Sequence, residues 1–278
     1  MSAYVAGSFP LGTYVPLAVA WTAGATGACA LTDTRILGWR PDPGILRTAV
    51  TLGIVLLLMR ALDDIRDRDY DRRYNPDRPL ARGAVRVGDL AVLVAAGSAL
   101  ALVLNAWRWP VMCVLAGQLG YALLVIWVDR RWQWPPGDAM LTGLLVNLPV
   151  QLLINAYLYA ALLHSMDLPP SWSGVAGIAV VTLAFQHVEF ARKTTRTPRA
   201  GERTYVTRLG VGGTATAAVA CAVVATALVV AAARPWHWTV LLTLLPLGIP
   251  AAAAWRLHRD RLPRWPYRSA ALFVLTSF

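Results

Sequence analysis

Charge is scarce in this sequence. Asp, Glu, Lys and Arg make up 15% of its 278 residues, against 57% hydrophobic residues and a mean hydropathy of +0.50. A soluble domain of this length needs a far more polar surface, so the composition excludes one and makes the bilayer the solvent. Cysteine is nearly absent as well. Cys29, Cys113 and Cys221 stand apart inside apolar stretches, which excludes a disulfide framework and a thiolate metal site. Met1 to Pro10 lacks a basic cluster, and the apolar segment after it is long enough to span, so no cleavable signal peptide is expected. No polar block interrupts the chain at domain size, and a single membrane domain over 1–278 is the expectation.

What recurs instead is apolar sequence in runs of the ~17 to 25 residues that cross ~30 Å of hydrocarbon. The expected spans are Tyr14–Leu31, Gly44–Leu62, Asp89–Asn105, Pro110–Val128, Met140–Leu163, Gly174–Phe190, Val211–Ala233 and Trp238–Trp255. A ninth, Ser269–Phe278, is short unless Arg268 snorkels and the span starts near Pro266. Lipid offers backbone groups no partner, so each span should be helical. The expectation is an all-α integral membrane bundle of eight or nine helices around a central cavity that opens to cytoplasmic loops.

Arginine is sharply partitioned. The loops after spans 2, 4, 6 and 8 hold Arg66 to Arg86, Arg130 and Arg131, Arg192 to Arg208, and Arg256 to Arg268, whereas the opposite loops hold only Arg35, Arg40, Arg47, Arg108 and Arg234. Basic loops face the cytoplasm. The reading is therefore a plasma membrane of bacterial type with the catalytic loops cytoplasmic and the N-terminus outside. The net charge of +11 then belongs mostly to one membrane face and suits anionic lipid or a phosphorylated substrate, not nucleic acid. Trp107, Trp109, Trp132, Trp134, Trp172, Trp236, Trp238, Trp255 and Trp265 fall at span ends and read as an aromatic belt.

Span 2 runs into LDDIRDRDYDRRYNPDRPLARG, where Asp63, Asp64, Asp67, Asp69 and Asp71 crowd into nine residues. On a continuing helix Asp64, Asp67 and Asp71 share one face, with Asp63 beside them and Asp69 turned away. Stacked carboxylates repel, and a hard divalent cation removes the repulsion. Mg²⁺ is commonly held by one or two carboxylates and completes its shell with water and substrate phosphates. Arg78 and Arg82 add planar donor forks for phosphate oxygens on backbone restricted by Pro76 and Pro79. The bland alternative is a solvated loop of interleaved salt bridges, but acids at a membrane helix end are costly without a role.

DDIRDRDYD followed by RPLARG resembles the first aspartate-rich motif of the UbiA-type intramembrane prenyltransferase superfamily, NDxxDxxxD followed by RPL. Asp64, Asp67 and Asp71 match its three aspartates, and Asp63 replaces its Asn. The resemblance implies a Mg²⁺-dependent enzyme that ionises an isoprenoid diphosphate in the membrane. It also implies a second aspartate-rich motif at the end of the sixth helix, where this chain has HVEFARKTTRTPRAGERTYVTRLG. Glu189 can stand for the first acid there, while Lys193 and Thr197 occupy the positions of the next two. A site with one carboxylate and one ammonium should hold fewer metal ions, and Lys193 can meet phosphate oxygens directly as a point charge. The alternative is a local Glu189 to Lys193 ion pair worth ~0.3 to 0.5 kcal/mol.

The candidate metal ligands are thus Asp63, Asp64, Asp67, Asp71 and Glu189, with Lys193 beside them. Arg78, Arg82 and Arg192 are candidate phosphate contacts. Asn147, Gln151 and Asn155 recur at helical spacing in span 5 and either line the cavity or bond between helices. Tyr121 is a further candidate cavity residue, as are Gln118, Tyr157, Tyr159, Phe185, Gln186 and His187, the last read as structural. Neutralising the leaving diphosphate would let an allyl cation form in a dry chamber. Alkylation of an aromatic or other small acceptor makes a prenyltransferase, and capture by the cation's own double bonds makes a terpene cyclase. A cation transporter is the reading from another class, opposed by the absence of a clear inverted repeat and by charge gathered at one face.

Overall fold

The computed structural model describes residues 2–233 and 238–277, without the side chains of 238–241 and 267. Arg234, Trp236, the Trp238 ring and Phe278 lie outside the described residues. Among the described residues every regular element is a helix. The helices are α1 Ser2–Ser8, α2 Leu11–Thr32, α3 Gly44–Arg66, α4 Arg68–Tyr74, α5 Val87–Val103, α6 Trp109–Trp132, α7 Met140–Ser165, α8 Ser173–Arg192, α9 Val206–Ala232, α10 Gly248–Arg259 and α11 Tyr267–Ser277. A 3₁₀ segment, Trp238–Leu247, leads into α10.

Six of these helices, α2, α3, α6, α7, α8 and α9, are long and apolar enough to cross a membrane, and α5 is a shorter apolar helix. Every expected span coincides with a helix within a few residues, although the eighth is divided into the 3₁₀ segment and α10. At 11 residues, α11 reaches only about 16 Å and does not cross a bilayer by itself.

Two compact units emerge. The first comprises 2–23, Pro41–Pro135 and Val146–Leu168, and the second Gly24–Arg40, Pro136–Leu145 and the described residues from Pro169 onward. In the first, α3 packs on α5 and α6. Tyr4, Ala61, Leu62, Ile65, Leu80, Val85 and Leu90 form a buried cluster beneath the aspartate segment. In the second, α8 and α9 form the main pair, joined by α11. Gly177 of α8 permits a close approach to the end of α2, because a Cβ there would stand 2.7 Å from the Cys29 backbone. Gly210, at φ 69°, breaks α9 one turn after its start, in a conformation that costs glycine little.

Two expectations are corrected here. Tyr4 in α1 bonds Asp64 at the end of α3, so the N-terminal helix and the aspartates lie at the same end of the first unit. Two crossings, α2 and α3, return the chain to the side it left. An outside N-terminus is therefore incompatible with cytoplasmic aspartates. The second correction concerns Trp265, which is not in the aromatic belt but buried, its Nε1 donating to Ser269 and its ring edge-on to His187. Trp107, Trp109, Trp132, Trp134, Trp172 and Trp255 are exposed at helix ends as the belt requires.

Candidate active site

The aspartate segment keeps helical register through the junction of α3 and α4. Asp67 N–H donates to the Asp63 carbonyl, Asp71 N–H to that of Asp67 and Asn75 N–H to that of Asp71, each at 2.8 Å. Asp64, Asp67 and Asp71 therefore share a face, but with unequal surroundings. Asp64 and Asp71 are buried, Asp67 is half-buried, and Asp63 and Asp69 are exposed.

One guanidinium joins the two buried acids. Arg78 Nη1 donates to Asp71 Oδ2 at 2.6 Å and reaches Asp64 Oδ1 at 3.5 Å. Around them, Arg60 pairs with Asp64 at 2.9 Å, the Tyr4 hydroxyl donates to Asp64 Oδ2 at 3.1 Å, and Asn75 Nδ2 donates to Asp71 at 2.8 Å. Burial, and after it the Asp64 charge, raises the Tyr4 phenol above its ordinary range, which keeps it a donor. On the outer side Arg66 pairs with Asp63 at 3.0 Å and, loosely, with Asp67 at 3.7 Å, and its Nη1 donates to Asn147 Oδ1 at 3.1 Å. The α7 stripe therefore meets the acidic segment through Asn147.

The remaining candidates are spread along the unit. Asn155 is buried and accepts a bond from Trp21 Nε1 at 3.1 Å, while Gln151 between them is half-buried. The Tyr121 hydroxyl donates to the Val146 carbonyl at 2.9 Å, and Arg82 is exposed. Among the described residues no three Asp, Glu, His or Cys side chains stand close enough to hold a metal ion. The donor chemistry nevertheless fits one. Two buried carboxylates already converge on a single positive nitrogen, and that pair is what Mg²⁺ takes from a protein before water and phosphate complete its shell.

The second unit holds the other candidates at the end of α8. Glu189 accepts from Arg192 at 2.6 Å and from the Tyr205 hydroxyl at 3.3 Å. Burial, then the Glu189 charge, raises the Tyr205 phenol. Lys193, the single lysine of the chain, donates from Nζ to the Arg203 carbonyl at 3.0 Å, and the Thr204 hydroxyl donates to the Lys193 carbonyl. Arg196 bonds the Leu257 and Leu262 carbonyls at 2.6 and 3.1 Å, which ties the segment after α8 to the last turn of α10 and to the residues that follow it. His187 is buried, with Nδ1 2.8 Å from the Ala218 carbonyl and the ring edge-on to Trp265 and Phe273.

Sequence reading missed Tyr4, Arg60, Asn75 and Tyr205. Arg60 carried a signal, being a cation inside a span and four residues before Asp64. Asn75 follows Asp71 by the same spacing. The tyrosines are brought in from outside the acidic segments and had none.

A model described as the UbiA prenyltransferase family matches residues 19–277. The chain belongs to that family. It is an integral membrane protein of prenyltransferase type, and the family implies an isoprenoid diphosphate substrate. The fold is similar to one described as "Apo structure of a UbiA homolog from Aeropyrum pernix K1", with 18% identity, a TM-score of 0.65, and 95% of this chain and 94% of that one covered. Comparison with curated proteins gives no match. Within this UbiA family protein, Tyr4 precedes the matched residues, so its bond to Asp64 is a feature of the chain outside the family match.

Proposed function

We propose that the protein ionises an isoprenoid diphosphate and transfers the prenyl group to an acceptor, with the aspartate segment and α1 on the cytoplasmic side. The observation that carries this reading is the pair of buried carboxylates, Asp64 and Asp71, converging on Arg78 in a membrane protein of this family. Asp64 and Asp71, with Asp67 and Asp63 beside them, would hold Mg²⁺. Bound there, Mg²⁺ supplies positive charge to the oxygens of the leaving diphosphate. Arg78 can then turn its donor fork from the acids to phosphate. Arg60 and Tyr4 hold Asp64 in place.

Glu189, Lys193 and Arg192 form the second phosphate-directed set in this proposal. Lys193→Ala is expected to raise KM for the diphosphate about tenfold or more, the value of a charge-assisted hydrogen bond. Lys193→Arg should keep part of the binding, and Lys193→Asp should need more Mg²⁺ to recover it. Steady-state kinetics across a Mg²⁺ series measures this. A Lys193→Ala protein that melts earlier but keeps the wild-type KM would confine the residue to its bond with Arg203.

Cyclisation without an acceptor is the second reading, favoured by the lysine and threonine that stand where the family's second motif has acids. Diphosphate release by the purified protein, with and without candidate acceptors, separates the readings. Acceptor-dependent release supports transfer, release of diphosphate with a cyclic hydrocarbon product supports cyclisation, and no release supports transport.

A further inference from the structure

The first unit carries a second buried polar cluster, at the opposite end of α3 from the aspartates. Arg108, the residue preceding α6, is 3% exposed. Its Nη2 donates to the Ala161 carbonyl at 3.1 Å, and its Nη1 reaches only as far as Asn105 Oδ1 at 3.4 Å and Thr48 Oγ1 at 3.5 Å. All three are neutral oxygens. Asp42 acts on it only at longer range, and Arg47 opposes it. Tyr157 of α7, 1% exposed, sets its hydroxyl among Thr48, Thr51, Asn105 and Arg108, whose polar groups surround its oxygen, but its O–H finds no acceptor with hydrogen-bond geometry. Asn105 Nδ2 is already committed to Thr51 Oγ1 at 3.1 Å and the Ala101 carbonyl at 2.9 Å.

A guanidinium withdrawn from water without a counter-ion costs several kcal/mol, and buried charges are ordinarily paired. The amino end of α6 adds further positive potential at the same place. The cluster has one unspent donor, the phenol O–H, and its guanidinium meets only neutral acceptors, two of them at long range. A water molecule would take the hydrogen bonds but leave the charge.

We propose that Arg108 and Tyr157, supported by Thr48 and Asn105, form a binding site for one small monovalent anion, a halide or a simple carboxylate. The anion ties the α5–α6 turn to α3 and α7. A diphosphate does not fit, because it brings more charge than one guanidinium balances. The site is also separate from the aspartates: Thr51 and Asp64 are thirteen residues apart on α3, about 20 Å at the helical rise.

The test uses the purified full-length protein in detergent, with sodium chloride exchanged for gluconate at constant ionic strength and the unfolding temperature followed. The wild type should gain stability with chloride or with formate in a saturable manner, and Arg108→Gln should show a flat response. Tyr157→Phe removes only the hydroxyl and should raise the half-saturating concentration of the stabilising anion about fivefold or more. It decides the matter if Arg108→Gln does not fold. Formate in parallel identifies the ligand: stabilisation by formate alone assigns a carboxylate, and by both salts either kind of anion. Equal stability in all three salts, or the same dependence in wild type and Tyr157→Phe, would overturn the site.

Discussion

Replacing Asp64 or Asp71 by Asn should lower diphosphate release by roughly 10²-fold or more, because a group that helps neutralise developing charge in a water-poor site carries effects of that order. Each substitution keeps the size of the side chain and removes its charge. Asp64 loses the partner of Arg60, Arg78 and Tyr4, and Asp71 loses that of Arg78 and Asn75. Asp67→Asn should fall between them and the exposed positions. Asp69 is the control. Its side chain is 92% exposed and pairs only loosely with Arg72, so Asp69→Asn should change turnover little. Rates measured side by side check the ordering, and equal tolerance at Asp64, Asp71 and Asp69 would reduce the segment to a solvated salt-bridge network.

Arg78→Met should destabilise the protein by about 2 kcal/mol, less than the ~3 to 5 kcal/mol of a fully buried pair because Arg78 is 33% exposed. The cost arises from leaving Asp64 and Asp71 buried with less positive charge between them. Divalent cation should then stabilise this variant more than the wild type, since the ion meets no competing guanidinium. Unfolding temperatures with and without Mg²⁺ give the comparison. Catalysis should remain impaired in the stabilised variant, because the donor fork that would meet phosphate is gone.

The membrane helices were legible because lipid forces an unmistakable pattern on sequence, and span ends fell within a few residues of helix ends. The division of the eighth span was not, since apolar content does not distinguish a 3₁₀ stretch from an α-helix. The common face of Asp64, Asp67 and Asp71 followed from spacing alone. Their unequal burial did not, because it is set by Arg78, Tyr4 and Arg60, and a single sequence does not say which of many arginines turns inward. That an outside N-terminus and cytoplasmic aspartates exclude one another is made plain by a distant contact: Tyr4 and Asp64 are sixty residues apart and hydrogen-bonded. Trp265 was misassigned for a similar reason, as a tryptophan near a helix end suits the headgroup layer and a buried core equally well.

Release of diphosphate from an allylic isoprenoid diphosphate by the purified protein, measured in Mg²⁺ and again after chelation, bears most directly on the central claim. Release that depends on Mg²⁺, and that Asp64→Asn abolishes, is the expected result. Release unaffected by chelation, or retained at the wild-type rate in Asp64→Asn, would contradict it.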